Sequence, residues 1–436
     1  MQNDFSKILP DTASTVDGRL HLAGQDAVEL ADRFGTPVII LDRATLETRA
    51  KSYSSVVEPA RVFYAGKALC CVAVCQIVDS LGLSLDVCSG GELETARRAD
   101  FPMERVVFHG NNKSIAELER ARDLGVGRVV VDSYEEIDRL AAMETTSKLI
   151  VRITPGVEAH THEFVQTGQD DSKFGFTLAE GVAMQALRRA QAVSTAELVG
   201  VHAHIGSQIF ELGAFDLAVQ RLALFLRQAK DELGFEAREL NLGGGLGIAH
   251  TNDEMTPDPA ESVTRILAAV EREFADAGLA RPEVFIEPGR SLVGSSAVTL
   301  YRVGTVKKIP GVRTYVAVDG GMSDNIRPAL YGARYEAFLA NRMEEPAGPR
   351  VTVCGKHCES GDILIKDVHL PEDVAEGDLL CIPATGAYTY SMANNYNRIT
   401  RPPIVLVEGG KATEIVRRET LDDLLKLDRR LDGSPV

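Results

Sequence analysis

The sequence has 436 residues, of which 47 are Lys or Arg and 63 are Asp or Glu, so its formal net charge is −16. Hydrophobic residues make up 44% and charged residues 25%, which is typical of a globular protein and excludes a disordered or fibrous chain. Because the acidic surplus repels nucleic-acid phosphates and anionic membranes, we expect small molecules or proteins as partners, with no nucleic acid and no membrane.

The start of the chain and its cysteines predict a soluble, cytoplasmic protein. The first residues, M-Q-N-D-F-S, carry no basic region followed by an apolar stretch. The apolar run 68–75 is far shorter than the roughly 18 residues of a membrane helix. Seven cysteines, three of them crowded at Cys70, Cys71 and Cys75, suit free thiols. Cys71 and Cys75 could bind a metal, but no His or acidic residue accompanies them. We therefore expect them to be small buried side chains, and we expect no metal.

Short apolar runs alternate with helical patterns through the first two thirds of the chain. Eight such runs occur, at 61–65, 83–87, 105–108, 128–131, 148–153, 197–204, 239–242 and 283–286. Their lack of polar alternation is typical of parallel strands covered by helices. Ser114 with Glu117, and Ser133 with Glu136, have the spacing of capping boxes at helix starts between these runs.

Eight strand-helix units over about 240 residues predict a (β/α)8 TIM barrel. An open, doubly wound sheet is the alternative, but it usually has fewer strands and a glycine-rich turn after the first one. In this sequence the glycine triplet follows the seventh run instead.

From about residue 296 the pattern changes to strand-like runs at 297–306, 313–318, 351–354 and 378–382, without regular helices between them. This indicates a mostly antiparallel β-sandwich or β-barrel domain. We expect the extended run 19–22 to add a strand to it. The predicted domains are therefore a barrel of residues 43–299 and a β domain formed by 1–42 and 300–436.

Glycines follow the last two predicted barrel strands, where such barrels commonly hold a phosphate. Gly243, Gly244 and Gly245 follow the seventh strand, and Gly289 with Arg290 follows the eighth. Glycine lets backbone N–H groups approach an anion closely, although a glycine triplet alone equally fits a tight loop. Their position, with Ser207 after the sixth strand, favours a phosphate site.

Lys67 and Glu287 add the other parts of a pyridoxal 5′-phosphate site. Lys67 ends the first strand among apolar residues, so we expect it to lose solvent and to have the lowered pKa of a Schiff-base lysine, an ion-paired lysine being the alternative. Glu287, after strand eight, could keep the pyridine nitrogen protonated. His204 could lie on the ring, but His202 on the same face leaves a plain core histidine open.

Ten motifs in order resemble the fold type III pyridoxal-phosphate-dependent decarboxylases, and among them those that act on diaminopimelate. They are Y-A-G-K-A at Tyr64, D-V-C-S-G-G-E at Asp86, H-G-N-N-K at His109, T-G-Q-D-D-S-K-F-G at Thr167, H-I-G-S-Q at His204, G-G-G-L-G at Gly243, E-P-G-R at Glu287, D-G-G-M-S-D-N-I-R-P-A-L-Y at Asp319, C-E-S-G-D at Cys358 and G-A-Y-T-Y-S-M-A-N-N-Y-N at Gly386. The match covers nearly the whole chain. It departs from many family members at Lys356 and His357, where they have a proline and an apolar residue.

The resemblance implies a role for each matched residue. Lys67 would carry the cofactor, Glu287 would contact the pyridine nitrogen and His204 would stack on the ring. Further cofactor contacts would come from Asp86, Ser207, Gly243, Gly244, Gly245, Gly289, Arg290 and Tyr388. The substrate would be held by Arg290, Arg327, Tyr331, Glu359 and Tyr388, since arginine presents a planar fork to a carboxylate.

The resemblance also implies the reaction and the assembly. The expected reaction decarboxylates meso-2,6-diaminopimelate at its D-centre to L-lysine and CO₂, the last step of bacterial-type lysine biosynthesis. Cys358 would enter the neighbouring subunit's site and serve protonation, which implies a homodimer with shared active sites.

Two other functions remain as alternatives. The same scaffold could act on ornithine, lysine, arginine or carboxynorspermidine, but Arg327 and Glu359 favour a substrate whose distal end is an amino-acid centre. A regulatory homologue without cofactor is disfavoured because Lys67, Glu287 and Cys358 are all present. Cys354 and Cys358 could instead form a structural or metal-binding pair.

Overall fold

The computed structural model describes residues 5–143, 145–157 and 172–436. The start of the predicted T-G-Q-D-D-S-K-F-G motif lies outside these residues. The chain divides into two compact units, which we call the barrel unit and the β unit. The barrel unit comprises Arg49–Gly247 and Thr256–Leu292, and the β unit comprises Met1–Thr48, Ile248–Met255 and Val293–Val436.

Within the described residues, eight parallel strands form the barrel unit's sheet. They are Phe63–Ala65, Ser84–Val87, Val106–Phe108, Arg128–Val131, Lys148–Thr154, Glu197–His202, Glu239–Asn241 and Glu283–Phe285. Each pairs in parallel with its neighbour in the chain, and a short strand, Phe176–Thr177, pairs with the fifth. A parallel bridge between Val62 and Ile286 joins the last strand to the first, so the sheet is closed. The predicted (β/α)8 barrel is confirmed.

Buried apolar side chains fill the space enclosed by these strands. Phe63, Val107, Val130, Ile150, Val199 and Phe285 form one contiguous cluster there. Because they come from strands one, three, four, five, six and eight, the cluster ties together segments that are far apart in sequence. The barrel is therefore a packed core, and its chemistry is left to the strand ends.

The α-helices of the described residues are Ala27–Phe34, Arg43–Ser54, Val72–Ser80, Gly90–Arg98, Ile115–Leu124, Tyr134–Ala142, Val182–Gln191, Gly213–Leu233, Pro259–Asp276, Arg290–Val293, Arg327–Tyr331 and Leu421–Leu425. The predicted capping box of Ser114 and Glu117 is confirmed, with both reciprocal contacts present. Ser133 also caps its helix, but Glu136 turns inward and its carboxylate lies 2.8 Å from Lys113 Nζ. In the part of the chain that is described, no helix is long and apolar enough to cross a membrane.

The β unit is a mostly antiparallel assembly. Its strands are Ser14–Val16, Arg19–Leu22, Gln25–Asp26, Val38–Asp42, Ala297–Ile309, Arg313–Val318, Phe338–Leu339, Arg350–Cys354, Ile363–His369, Leu379–Ile382, Ile404–Glu408 and Lys411–Val416. The long strand Ala297–Ile309 pairs antiparallel with Val38–Asp42, Arg313–Val318 and Leu379–Ile382. This confirms the predicted second architecture.

The N-terminal contribution to the β unit differs from the prediction. Arg19–Leu22 does not join the large sheet but pairs with Ser14–Val16 and Gln25–Asp26 in a small sheet of its own. Val38–Asp42 is the strand that enters the large sheet, between Ala297–Ile309 and Ile404–Glu408. The reason lies in the sequences: V-I-I-L-D is buried at every position, whereas R-L-H-L buries only its alternate leucines.

Candidate active site

Glu287 follows the eighth barrel strand, and its buried carboxylate has three hydrogen-bond partners. His109 Nε2 lies 2.7 Å from Oε1, and His202 Nε2 lies 3.0 Å from Oε2. Asn241 Nδ2 donates to Oε1 at 2.7 Å. His109 follows strand three, while His202 and Asn241 end strands six and seven. Since the partners come from different strands, the closed barrel fixes the direction in which this carboxylate points.

The surroundings of Glu287 keep it ionised. Burial alone would raise its pKa, but the facing imidazoles of His109 and His202 hold the pKa well below its usual value. Burial lowers the pKa of His202 to about 4, so this imidazole is neutral at pH 7 and donates through Nε2–H. Glu287 therefore offers an oriented negative charge, which suits a protonated ring nitrogen.

His109, His202 and Glu287 also have the residue types of a metal site, with ligand atoms within 4.8 Å of one another. Histidines that bind metals almost always donate their second ring nitrogen to a partner. His202 Nδ1 is buried and has no hydrogen-bond partner among the described residues. The direct hydrogen-bond distances to Glu287 therefore favour a carboxylate held by donors over a metal centre.

Asp86 is the last residue but one of the second barrel strand and is buried beside this group. Its Oδ1 lies 3.9 Å from His109 Nε2 and has no hydrogen-bond partner within the described part of the chain. Burial raises the pKa of Asp86 to about 6, against the lowering effects of His109 and Lys67. An unsatisfied buried carboxylate oxygen at a strand end is suited to receive a donor from a bound molecule.

The glycine loop after strand seven is shaped by close backbone contacts. A Cβ atom on Gly244 would lie 2.1 Å from the carbonyl oxygen of Glu287, and one on Gly245 would lie 2.4 Å from that of Gly206. Gly243 and Gly245 also have positive φ angles of 64° and 114°. Only glycine fits at these positions, and backbone N–H groups consequently line the loop.

Two side chains connect this loop to the rest of the site. Asn241 Oδ1 accepts a hydrogen bond from Gly243 N at 2.9 Å, so one amide group links the loop to Glu287. Gly244 N donates to His204 Nδ1 at 3.3 Å. Desolvation and then the charge of Lys67 hold the pKa of His204 well below its usual value, so the ring is neutral. Its Nδ1 is therefore the acceptor.

Arg290 and Ser207 supply polar groups next to the loop. Arg290 Nη2 donates to Ser207 Oγ at 3.1 Å, and Arg290 is buried. A Cβ on Gly289 would lie 3.0 Å from the Ala65 side chain. A guanidinium and a hydroxyl beside this closely packed glycine loop together form a cradle for a phosphate. With the ionised Glu287, the residues present fit pyridoxal 5′-phosphate.

Lys67 is placed differently from the prediction. It lies in the 3-10 turn Gly66–Ala68 directly after the first strand, and its side chain is exposed. The predicted burial of the Lys67 side chain is wrong. The first strand ends at Ala65, and the turn that follows places Lys67 beyond the end of the strand, where solvent reaches it. Its charge nevertheless lowers the pKa values of Asp86 and His204, so it belongs to the same group.

The β unit brings together three of the residues predicted to bind substrate. The guanidinium carbon of Arg327, a buried residue, lies 5.6 Å from the ring centre of Tyr331 and 6.0 Å from that of Tyr388. Arg327 Nε donates to Tyr335 Oη at 2.9 Å. Two aromatic rings and a hydroxyl thus hold the planar guanidinium.

Cys358 and Glu359 lie on the turn after strand Arg350–Cys354 and are both exposed. Cys354 and Cys358 are free thiols, so the structure does not support a disulfide between them. The backbone N–H of Cys358 donates to Asn397 Oδ1 at 3.1 Å.

Four residues of these groups received no role from the sequence: His109, His202, Asn241 and Tyr335. His109 and Asn241 stand at the ends of strands three and seven, the criterion that selected Glu287. The available signal was their residue type, because a histidine and an amide at strand ends can donate hydrogen bonds to a carboxylate at a neighbouring strand end. Tyr335 had no such signal, since its contact with Arg327 depends on the turn after Arg327–Tyr331.

A comparison with known families agrees with this geometry. Residues 43–294 match the family described as pyridoxal-dependent decarboxylase, pyridoxal binding domain. This range contains the barrel, the glycine loop and the group around Glu287. The chain belongs to the pyridoxal-dependent decarboxylases.

Comparison with individual relatives identifies a smaller group within this class. The chain is 50% identical over 423 residues to diaminopimelate decarboxylase of Halalkalibacterium halodurans, covering 95% of this chain and 96% of the relative. It is 51% identical over 419 residues to diaminopimelate decarboxylase of Bacillus subtilis, covering 94% and 95%. A crystal structure of diaminopimelate decarboxylase from M. jannaschii in co-complex with L-lysine shares 33% identity, with a TM-score of 0.89 and coverage of 97% and 98%. Within its class the chain therefore stands with the diaminopimelate decarboxylases.

Proposed function

We propose that the chain decarboxylates meso-2,6-diaminopimelate at its D-centre to L-lysine and CO₂, the last step of lysine biosynthesis. The observation that carries the proposal is the buried Glu287 carboxylate held by His109, His202 and Asn241. The diaminopimelate decarboxylases that share half of its residues support the substrate.

The barrel residues would hold the cofactor and set its charge. When bound, pyridoxal 5′-phosphate supplies an electron sink for the pair released at Cα. Lys67 Nζ would attach it, and the ionised Glu287 would keep a proton on its ring nitrogen. The glycine loop, Ser207 and Arg290 would bind its phosphate, and the neutral His204 would stack on its ring.

The β unit residues would hold the substrate and move a proton. Arg327 would bind the distal carboxylate through its planar fork, with Tyr331, Tyr388 and Glu359 close by. The thiol of Cys358 would deliver the proton to Cα after CO₂ has left. Orienting both ends of the substrate lowers the entropic part of the barrier.

We also propose that the protein works as a homodimer with shared active sites. The exposed Cys358 and Glu359 support this, because a partner subunit could enclose them. For the functional domains we propose residues 43–299 as the barrel and 1–42 with 300–436 as the β domain. The free state of all seven cysteines supports a cytoplasmic location, which cell fractionation would test.

The experiment for the proposed reaction compares substrates on the purified protein with added pyridoxal phosphate. CO₂ release from meso-diaminopimelate should exceed that from ornithine, lysine, arginine or carboxynorspermidine by about 100-fold in kcat/KM, since a site built for a distal carboxylate rejects molecules lacking it. Loss of activity in Lys67→Ala controls for contaminating enzyme. Preference for one of the other amino acids would support the alternative decarboxylase instead.

A further inference from the structure

The turn that carries Cys358 is closed by one carboxylate of the β unit. Asp362 Oδ2 accepts a hydrogen bond from His357 N at 2.8 Å, and its backbone oxygen accepts from Gly355 N at 3.0 Å. Asp362 Oδ1 accepts from Met322 N at 2.7 Å. This carboxylate therefore links the turn to the segment that leads to Arg327.

The imidazole of His357 makes a second connection, and its contacts define its tautomer. Nε2 accepts from Ser323 N at 3.4 Å and lies 2.8 Å from Ser323 Oγ. Because Nε2 accepts a backbone N–H, the ring proton of the neutral form is on Nδ1, which lies 3.2 Å from Asn397 Oδ1. The buried ring also stacks on Tyr396, with centres 5.5 Å apart.

Asn397 completes the arrangement. Its Oδ1 accepts from Cys358 N at 3.1 Å in addition to facing His357 Nδ1. Its positive φ of 53° is a conformation that asparagine tolerates better than most residues. The oxygen and nitrogen of an amide occupy similar volumes, so a nearby donor must fix which of them faces the turn. Cys358 N–H is one such donor, and His357 Nδ1–H is a second that holds the same oxygen from the side-chain direction.

We propose that His357 is a positioning residue that orients the Asn397 amide and thereby fixes the backbone of Cys358. The inference rests on the role proposed above for Cys358. It concerns one of the two positions at which the sequence departs from many family members. The connected segments, 319–331, 355–362 and 388–397, also carry Arg327 and Tyr388. The same contacts would therefore keep the Cys358 thiol at a fixed position relative to these two proposed substrate-binding side chains.

Two variants break the arrangement, and two serve as controls. His357→Leu keeps most of the side-chain volume and removes the hydrogen bonds of both ring nitrogens, to Ser323 and to Asn397. Asn397→Gly removes the acceptor while leaving the positive φ unstrained. Asn397→Asp retains an acceptor oxygen and should restore the contact. His369→Leu is a matched control, because His369 is an exposed histidine of the β unit whose Nδ1 lies 2.8 Å from Gly348 O, outside the turn that carries Cys358.

Hydrogen exchange of the segment 355–362 measures how strongly the backbone of the turn is protected. It is followed by mass spectrometry with and without pyridoxal phosphate. Exchange in His357→Leu and Asn397→Gly should be about tenfold faster, as expected for a lost hydrogen bond. The kcat for meso-diaminopimelate should fall about 10- to 100-fold with KM changed less than about threefold, because displacement of a reacting group by about 1 Å acts on the chemical step. Asn397→Asp and His369→Leu should resemble the wild type in both measurements.

Unchanged exchange in both disruptive variants, with melting temperatures that show folded protein, would overturn the proposal. Faster exchange with an unchanged kcat would overturn the positioning role. Failure of the proposed reaction is a separate result, since the wild type would then release no CO₂ from meso-diaminopimelate while the exchange rates still report on the turn.

Discussion

The site residues of the barrel unit and those of the β unit differ in how completely one chain holds them. Around Glu287, buried donors from three strands fix a buried carboxylate. In the β unit the buried Arg327 is held in this way, whereas Cys358 and Glu359 are exposed to solvent. The difference teaches that the group around Glu287 is preorganised within a chain, while the turn that carries Cys358 is presented at a surface.

This contrast fits the proposed division of labour. Stabilising charge on a cofactor requires fixed groups in a dry environment, which the closed barrel supplies. A proton donor for the substrate need not belong to the same chain, and in the proposed dimer the partner subunit supplies it. The following experiments test each side of the contrast.

The largest effect is expected from removing the lysine of the barrel unit. Lys67→Ala should lower kcat by about 1,000-fold or more, because the proposed covalent attachment point of the cofactor is lost. The measurement is CO₂ release with added pyridoxal phosphate, together with the protein-bound absorption band, which should disappear. Lys307→Ala, an exposed lysine of strand Ala297–Ile309, is the control. Retention of the band in Lys67→Ala would contradict the assignment.

Mixing two inactive variants tests the sharing of sites between subunits. If Lys67 and Cys358 of different chains form one site, a Lys67→Ala/Cys358→Ala heterodimer contains one intact site out of two. Random exchange of subunits should then restore about a quarter of the wild-type activity. Activity is measured after mixing and reassociation, with heterodimers confirmed by mass spectrometry. Confirmed heterodimers without recovered activity would place both residues in the same chain's site.

A smaller effect is expected from Asn241, which bridges Glu287 and the glycine loop. Asn241→Ala should weaken the binding of pyridoxal phosphate and lower kcat about tenfold, the usual result of removing a group that orients another. Cofactor titration followed by absorbance and steady-state kinetics measure the two effects. Asn341→Ala is the matched control, since Asn341 Nδ2 donates to Asp378 Oδ1 at 2.9 Å in the β unit. Equal losses in both variants would indicate a general loss of stability.

The smallest effect concerns pH and Asp86. Its pKa rises from 3.8 to about 6 on folding, so the folded chain binds the proton more tightly and loses stability as pH rises through this window. In the cofactor-free protein, the gain in free energy of unfolding from Asp86→Asn should be about 1 kcal/mol larger at pH 7 than at pH 5. Urea unfolding at both pH values measures it. The exposed Asp138→Asn should follow the wild type, and a gain independent of pH would contradict the raised pKa.

The sequence predicted the barrel well because buried parallel strands read as continuous apolar runs. Observed strands such as Ser84–Val87 and Glu239–Asn241 begin and end within two residues of the predicted runs. The N-terminal strand was misassigned because R-L-H-L and V-I-I-L-D both look extended. The burial of every residue of V-I-I-L-D and its pairing with Ala297–Ile309 distinguish them.

The site was predictable where chemistry follows directly from a strand end. Glu287 and the glycine loop could be selected by position alone, and their roles stay predictions. The exposure of Lys67 depends on a three-residue turn, and the contact of Asn241 with Glu287 depends on how neighbouring strands orient their side chains. These features arise from tertiary geometry, which a single sequence read along the chain does not contain.

The bridge between Val62 and Ile286 has a consequence for biosynthesis of the protein. Phe63 N donates to Ile286 O and Ala65 N donates to Pro288 O, so the first strand remains without this neighbour until the eighth has been translated. Glu287 enters between these two contacts. A growing chain therefore cannot assemble the carboxylate with its three donors before the eighth strand has been translated. Capture of pyridoxal phosphate would consequently require the eighth strand, and chains truncated before it would be left without the stabilisation that a bound cofactor gives.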